Sequence, residues 1–451
     1  MMALRNRFVA WLAVATVATL GLSMTAAAGA AGDRPRKVTI SFWHAFGGGR
    51  MPFIQRMVDD FNFTHPEIEV QVEFKGTYRE TLNAAILAAR QGKAPHVVQI
   101  FEVGSQLALD SGIFVPVADL LQPGDFPTED YIAPLLNYYT IGGRINSLPW
   151  NSSSPILYYN KDALRRAGWD PESPPSTFRQ VLEASRRVVE SRVAPAGITW
   201  PLHSWFFEQW MAEQGALLAN NENGRATRAT ETYLNSEAAV RIVRWWKEMS
   251  DLGYYVYSGK LEDWDGANQI FLSGQVPMLI TSTSDVTFMR QAAAEQGFEL
   301  GTGFLPIPDG TERNGVVIGG ASLWLTRGHP DRELQAAKTF ALWMSNTENA
   351  LRWHKGTGYY PIRHSAISVL QMERWFERYP QYRAAFDQLL QTKLNRATQG
   401  ALLGPFPEVR TIIEEAVQKV LAGRASVEAA LAEAKTRADQ ALARYNRTVG
   451  R

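Results

Sequence analysis

KVTISFW at residues 37–43 alternates apolar and polar side chains as a half-buried strand does. The Gly47–Gly49 loop follows, and Pro52 to Phe63 carries apolar residues at helical spacing. Ile68 to Phe74 reads as a second strand. Leu82, Ala85, Ile86 and Ala89 then recur at i, i+3, i+4 and i+7, Gly92 stops that helix, and HVVQIF (96–101) is a short apolar strand. Strand, helix, strand, helix, strand is the order that builds a parallel sheet with helices on both faces. Such sheets place ligands in a crevice beyond the carboxyl ends of their strands.

The pattern restarts near residue 147. Leu148 to Trp150 reads as a crossing segment and SPILYYN (154–160) as a strand; Lys161 to Ala167 is a helix ended by Gly168. Thr177 and Gln180 stand in capping-box positions after Pro174-Pro175 and open another helix. Arg241 to Met249 is helical, GQVPMLIT (274–281) is a buried strand, and GVVIGGASLWLT (315–326) is strand-like around a glycine pair. Helices dominate beyond, closing with an Ala- and Glu-rich one at Ser426 to Asn446. The fold class is α/β.

At 451 residues and 45% hydrophobic content the chain suits two domains, each with its own core. Lys and Arg number 46 against 45 Asp and Glu, so the broad positive field that nucleic acid requires is missing. The absence of Cys excludes disulfides, thiolate metal sites and cysteine nucleophiles. Arg5 and Arg7 precede an apolar run from Phe8 to Met24, and Ala28-Gly29-Ala30 supplies small residues at cleavage-site spacing. Residues 1–30 read as a secretory signal peptide, too short in its apolar run for a membrane anchor. The chain is therefore expected to be exported. Removing those residues takes away two Arg and no acid, leaving a nearly neutral exported protein.

Catalytic signatures are missing. The seven His never form HExxH, and neither GxSxG nor GxxxxGK[ST] occurs. Gly47–Gly49 lacks the Lys-Ser/Thr of a phosphate loop and reads as a strand-to-helix turn. Glu262, Asp263 and Asp265 around Trp264 read as solvated loop charge. No catalytic residue, metal or cofactor is expected, although a catalytic set dispersed along the chain stays open.

FWHAFGG (42–48), FEVGS (101–105), NSSSPILYYNKDALRRAG (151–168), IGGASLWL (318–325), WHKGTGYYPI (353–362) and PEVRTIIEEA (407–416) together resemble the periplasmic solute-binding proteins of ABC importers, in their glycerol-phosphate-binding branch. The resemblance runs in order along the whole mature chain. It implies a two-lobed periplasmic-binding-protein fold of type II, each lobe a sheet flanked by helices, with lobe 1 at 37–147 plus 296–345 and lobe 2 at 148–295 plus 346–451. It further implies capture of sn-glycerol 3-phosphate or glycerophosphodiesters such as glycerophosphocholine for import, a monomer, inner-membrane ABC permease subunits as partners, and neither catalysis nor nucleic-acid binding. The family's ligand contacts, carried over by motif, fall on Tyr78, Glu102, Ser153, Ser282, Gly320, Tyr359 and Arg410.

The residue chemistry agrees with those positions without requiring them. Glu102 follows a buried strand, where an ionised carboxylate suits the hydroxyl donors of a polyol; it also reads as an ordinary loop acid. Arg410 stands near the start of a helix, where unpaired N–H groups attract anions, or is a surface Arg paired with Glu414. Gly319 and Gly320 allow close approach to the backbone, or mark a β-bulge. Ser153 and Ser282 donate to phosphate, or cap turns. Tyr78 and Tyr359 offer an apolar face and a phenol, or belong to the core. Trp200, Trp205, Trp210, Trp245, Trp246 and Trp264 are candidates for the cleft wall, with Trp245 and Trp246 assigned to packing within their helix. An oligosaccharide receptor stacking sugar rings on these indoles is the alternative, and a secreted glycerophosphodiester hydrolase a further one.

Overall fold

The computed structural model describes residues 37–449; the signal-peptide reading of residues 1–30 falls outside them. No helix among the described residues is long and apolar enough to cross a membrane.

β1 (Val38–His44) turns Val38, Ile40, Phe42 and His44 inward, in the alternation its sequence predicts. It pairs in parallel with β2 (Ile68–Phe74) on one side and β3 (Val97–Phe101) on the other. β3 is buried along its whole length, which is why it reads as an unbroken apolar run. Helices Arg50–Thr64 and Tyr78–Arg90 make the crossovers. There follow β4 (Phe114–Val115), the small hairpin β5 (Thr140–Ile141) and β6 (Arg144–Ile145), and β7 (Leu148–Ser153). Then come β8 (Pro155–Asn160), β9 (Ile198–Thr199), β10 (Tyr255–Val256), β11 (Met278–Ser282), β12 (Leu300–Gly303) and β13 (Gly319–Thr326).

The first sheet runs β2-β1-β3-β13-β4, with β7 also on β13; the second runs β10-β9-β11-β8-β12. The parallel order expected at the start of the chain holds for β2, β1 and β3 alone, because β13 lies antiparallel to β3, β4 and β7. β13 returns from the second sheet and so runs opposite to β3. The fold is two-lobed α/β, one sheet with its helices in each lobe.

Strand membership corrects two of the expected lobe boundaries. β7, placed in lobe 2 by the sequence reading, is hydrogen-bonded to β13 in the first sheet, and β12, placed in lobe 1, pairs with β8 in the second. Both are short buried runs whose sequence carries no mark of which sheet they join. The chain therefore passes between the sheets at Ser153–Pro155 and again in residues 304–318.

Two apolar clusters fill the molecule: one lies under one face of the first sheet, and the other runs from that sheet's opposite face into the second lobe. In the first, Phe340 of the Asp331–Met344 helix packs tilted on Phe42 at a centroid distance of 5.4 Å and edgewise on Phe61 at 5.1 Å. In the second, Trp245 stacks on Phe178 at 3.8 Å and on Trp200 at 5.3 Å, and Trp210 and Trp246 close the cluster. Burying each such ring contributes about 1.5–3 kcal/mol or more. Four of the six indoles considered for the cleft thus belong to the core of one lobe.

Candidate functional site

A cleft of about 450 Å³ lies between the lobes, and all seven residues singled out from the sequence line it: Tyr78, Glu102, Ser153, Ser282, Gly320, Tyr359 and Arg410. They arrive from separate elements. Tyr78 opens the Tyr78–Arg90 helix, whose start is fixed by a capping box between Thr77 and Glu80. Its ring stacks on Phe101 at 5.6 Å, and its hydroxyl accepts a hydrogen bond from Asn151 Nδ2 at 2.9 Å. Asn151 Oδ1 in turn accepts from Gln99 Nε2, and Gln99 Oε1 accepts from the Ala45 amide. This buried relay from β3 through β7 orients the phenol. Burial pushes the Tyr78 hydroxyl well above its ordinary range, and the neighbouring Tyr359 adds to the effect, so it stays a donor.

Glu102 opens a single 3-10 turn at the end of β3 and is buried, which removes the loop-acid alternative. Arg410 is buried too, in a helix that begins at Phe406. Its predicted partner Glu414 is not its partner. Arg410 Nη2 donates to Glu102 Oε1 at 2.8 Å, while Nε and Nη2 donate to the two oxygens of Glu208, each at 2.8 Å, in the fork geometry of a bidentate pair. Burial works against the Arg410 charge, but Glu208 and Glu102 outweigh it and hold the guanidinium ionised. Burial raises the Glu102 carboxyl, and Arg410 opposes that rise. Removing one partner from such a cluster costs about 3–5 kcal/mol, because the others are left buried and unpaired. Among the described residues, Nη1 of Arg410 has no hydrogen-bond partner.

Both readings of the two serines find support. Ser282 Oγ accepts the Ser284 amide at 3.1 Å as a turn cap, which leaves its own hydrogen free to donate. Ser153 ends β7 opposite Gly319 and faces the cleft. The glycine pair is explained by crowding. A Cβ on Gly320 would stand 2.0 Å from the Asn151 carbonyl oxygen, at a φ of +105° that disfavours any side chain; a Cβ on Gly319 would meet the Trp205 indole at 2.6 Å. A register shift also follows, between Ala321 and Ser322. The bulge and the close backbone approach therefore occur together.

Of the six indoles, Trp205 and Trp264 line the cleft. Trp205 belongs to the Ser204–Glu213 helix, capped by His203, whose Nδ1 accepts the Trp205 amide at 3.0 Å. Burial, then Arg410 and Arg79, drive His203 well below its usual range, so the ring is neutral with its hydrogen on Nε2. Beside it, burial pushes Glu414 up to about 8, against the Ser204 amide that donates to it at 2.9 Å. His203, Glu262 and Glu414 lie close enough to bracket an ion. With Nδ1 engaged and Nε2 protonated, however, His203 has no lone pair to give a metal.

Sequence reasoning missed Arg50 and Glu208. Arg50 starts the helix after the triple-glycine turn and reaches across the cleft, its Nη2 donating to Ser284 O, Ser284 Oγ and Asp285 Oδ1, each at 3.2 Å. Its guanidinium also lies 5.5 Å from the centroid of the Tyr359 ring. In the sequence it was one more helical Arg. Glu208 lies inside an apolar helix, where an acid among Trp and Phe was the available hint of a buried counter-ion.

Residues 56–384 match the family model of the bacterial extracellular solute-binding proteins. The sn-glycerol-3-phosphate-binding periplasmic protein of Rhizobium meliloti is 31% identical over 429 residues, covering 94% of this chain and 98% of that one. Its counterpart in Pectobacterium atrosepticum is 30% identical over 433 residues, covering 94% of each. Among solved structures, UgpB from Mycobacterium tuberculosis in complex with glycerophosphocholine superposes with a TM-score of 0.76 at 22% identity, covering 90% of this chain and 98% of that one. The sugar-binding protein MalE from Xanthomonas citri gives 0.73 at 20% identity over 90% and 98%. The fold is common to binders of very different solutes.

Proposed function

The chain belongs to the bacterial extracellular solute-binding proteins, and from that membership we propose that it is the periplasmic receptor of an ABC importer for sn-glycerol 3-phosphate and glycerophosphodiesters. The observation that carries the reading is the convergence of the seven motif positions on one cleft with a buried arginine in its wall. The phosphate is held by Arg410 Nη1, the Ser153 and Ser282 hydroxyls, the Gly320 backbone and Tyr359. The glycerol hydroxyls donate to the Glu102 oxygen that Arg410 leaves free and meet Tyr78. Arg410 stands on the Phe406–Leu421 helix and Glu102 on the turn that this helix packs against, so their ion pair fixes the two at the base of the cleft, and the closed form of the lobes is what the permease reads. The ligand leaves unaltered; the chain acts as a monomer and does not bind nucleic acid.

The oligosaccharide alternative is left with Trp205 and Trp264 alone, since the other four indoles that suggested it fill the core. Calorimetry tests the proposal. sn-Glycerol 3-phosphate and glycerophosphocholine should bind and maltose should not; Arg410→Lys, which keeps the charge but loses the fork, should weaken both phosphate ligands by about tenfold or more. Maltose binding without either phosphate ester would overturn it.

A further inference from the structure

Beside the cleft lies a second hollow of about 420 Å³, and Arg79 lines both. The wall of the hollow comes from the start of the Tyr78–Arg90 helix, the Phe406–Leu421 helix and the Val427–Val449 helix, and it carries Arg79, Arg437 and Arg444 against the single acid Glu408. Arg444 bonds to Glu408 and Arg437 to Glu415, each at 2.6 Å, in pairs whose four side chains are 43–54% exposed. A surface pair of this kind is worth about 0–1 kcal/mol, so an arriving anion competes with the carboxylate for the guanidinium on nearly equal terms. Arg79 is freer still. Its Nη2 donates to the Pro407 carbonyl at 3.1 Å, and among the described residues no carboxylate pairs with it.

The rest of the cleft offers no such cation. Arg410 is neutralised by Glu102 and Glu208 and Arg50 by Asp285, while Glu262 and Asp265 add exposed negative charge to the lining. Those two arginines recognise a phosphate at contact, but their fields are cancelled at a distance, and a dianion in solution is not drawn toward them. Arg79 borders both spaces, and its field reaches inward: it acts with burial and Arg410 to keep His203 neutral. The hollow supplies the attraction that the cleft lacks, and Arg79 marks the passage between them.

We propose that Arg79, Arg437 and Arg444 form a capture surface that draws the phosphate of a net-negative ligand from solution and passes it by way of Arg79 into the cleft. The inference rests on the function proposed above, since it concerns the entry of the same ligand. Charges on a rim set the rate of association more than the rate of release. Stopped-flow binding on the full mature chain, followed by the fluorescence of Trp205 and Trp264 in the cleft, measures both rates. At about 0.01 M salt, where charges are felt over about 30 Å, the triple variant Arg79→Gln, Arg437→Gln, Arg444→Gln should take up sn-glycerol 3-phosphate about tenfold more slowly than the parent, with an unchanged release rate. Raising the salt to about 0.15 M should narrow that gap. Glycerophosphocholine, whose charges cancel, should slow by less than about twofold, and the variant Arg79→Lys, Arg437→Lys, Arg444→Lys should keep the parent's rates. A triple Gln variant that associates as fast as the parent, or that slows both ligands alike, would sink the capture surface and leave the receptor reading standing. If neither ligand binds the parent, the receptor reading falls and takes the surface with it.

Discussion

Glu414 sits one turn beyond Arg410 with its carboxyl buried against His203 and the Ser204 amide. Burial raises it from an ordinary 4.5 to about 8. The folded chain therefore holds a proton that the unfolded chain has lost throughout that window. A raised value contributes stability that is complete below pH 4.5 and drains away as the pH climbs through 8. Glu414→Gln is neutral at every pH and close in shape, so the loss of unfolding free energy between pH 5 and pH 8 should shrink by about 2–4 kcal/mol. Urea denaturation at the two pH values measures it. An unchanged slope would mean that the carboxylate ionises in place without penalty.

Between the elements, the crowding at β13 and β7 is the constraint most open to test. Gly320→Ala forces a methyl group toward the Asn151 carbonyl oxygen and leaves alanine in left-handed backbone space. It should destabilise the protein by about 1–3 kcal/mol, read as a lower thermal midpoint without ligand. An unchanged midpoint would assign the glycine to ligand access alone. This is also where the reach of the sequence can be judged. The alternation in KVTISFW is a local signal and yields β1 directly, and FEVG and IGGAS are short motifs that place Glu102 and Gly320 without knowledge of their neighbours. Strand direction and sheet membership are not local, which is why the sequence gives no direction for β13 and why β7 and β12 were assigned to the wrong lobes. The same limit hid Arg50 and Glu208. Arg50 is defined by Asp285, 235 positions away, and Glu208 by Arg410, 202 positions away.

For the molecule as a whole, the links across the cleft decide how far the lobes stand apart. Arg50 reaches from the first lobe to the turn after β11 in the second, and Arg410 bonds to Glu102 in the other direction. The Arg50 contact is a charge-assisted bond that only an approached pair of lobes can make, whereas Arg410 and Glu102 stand on elements that pack directly on each other. Arg50→Gln should shift the ligand-free population toward the open form and weaken sn-glycerol 3-phosphate by about tenfold. Small-angle X-ray scattering, with and without ligand, would report the first as a larger radius of gyration. A radius identical to that of the parent protein in both conditions would show that the pair does not bias closure.

The strands that join the lobes are also the floor of the cleft. Ser153 ends β7 against Gly319, Tyr360 donates its amide to the Ser152 carbonyl, and Ser154 O accepts the Thr283 amide, so the chain passes from lobe to lobe within a residue or two of Ser153, Gly320 and Tyr359. A solute seated there presses beside the fulcrum. The outer rims are the long arms of the lever, and a displacement of a fraction of an ångström at the cleft floor is magnified at the surfaces farthest from it. An importer feeling only those rims can tell a loaded receptor from a vacant one without touching the cargo.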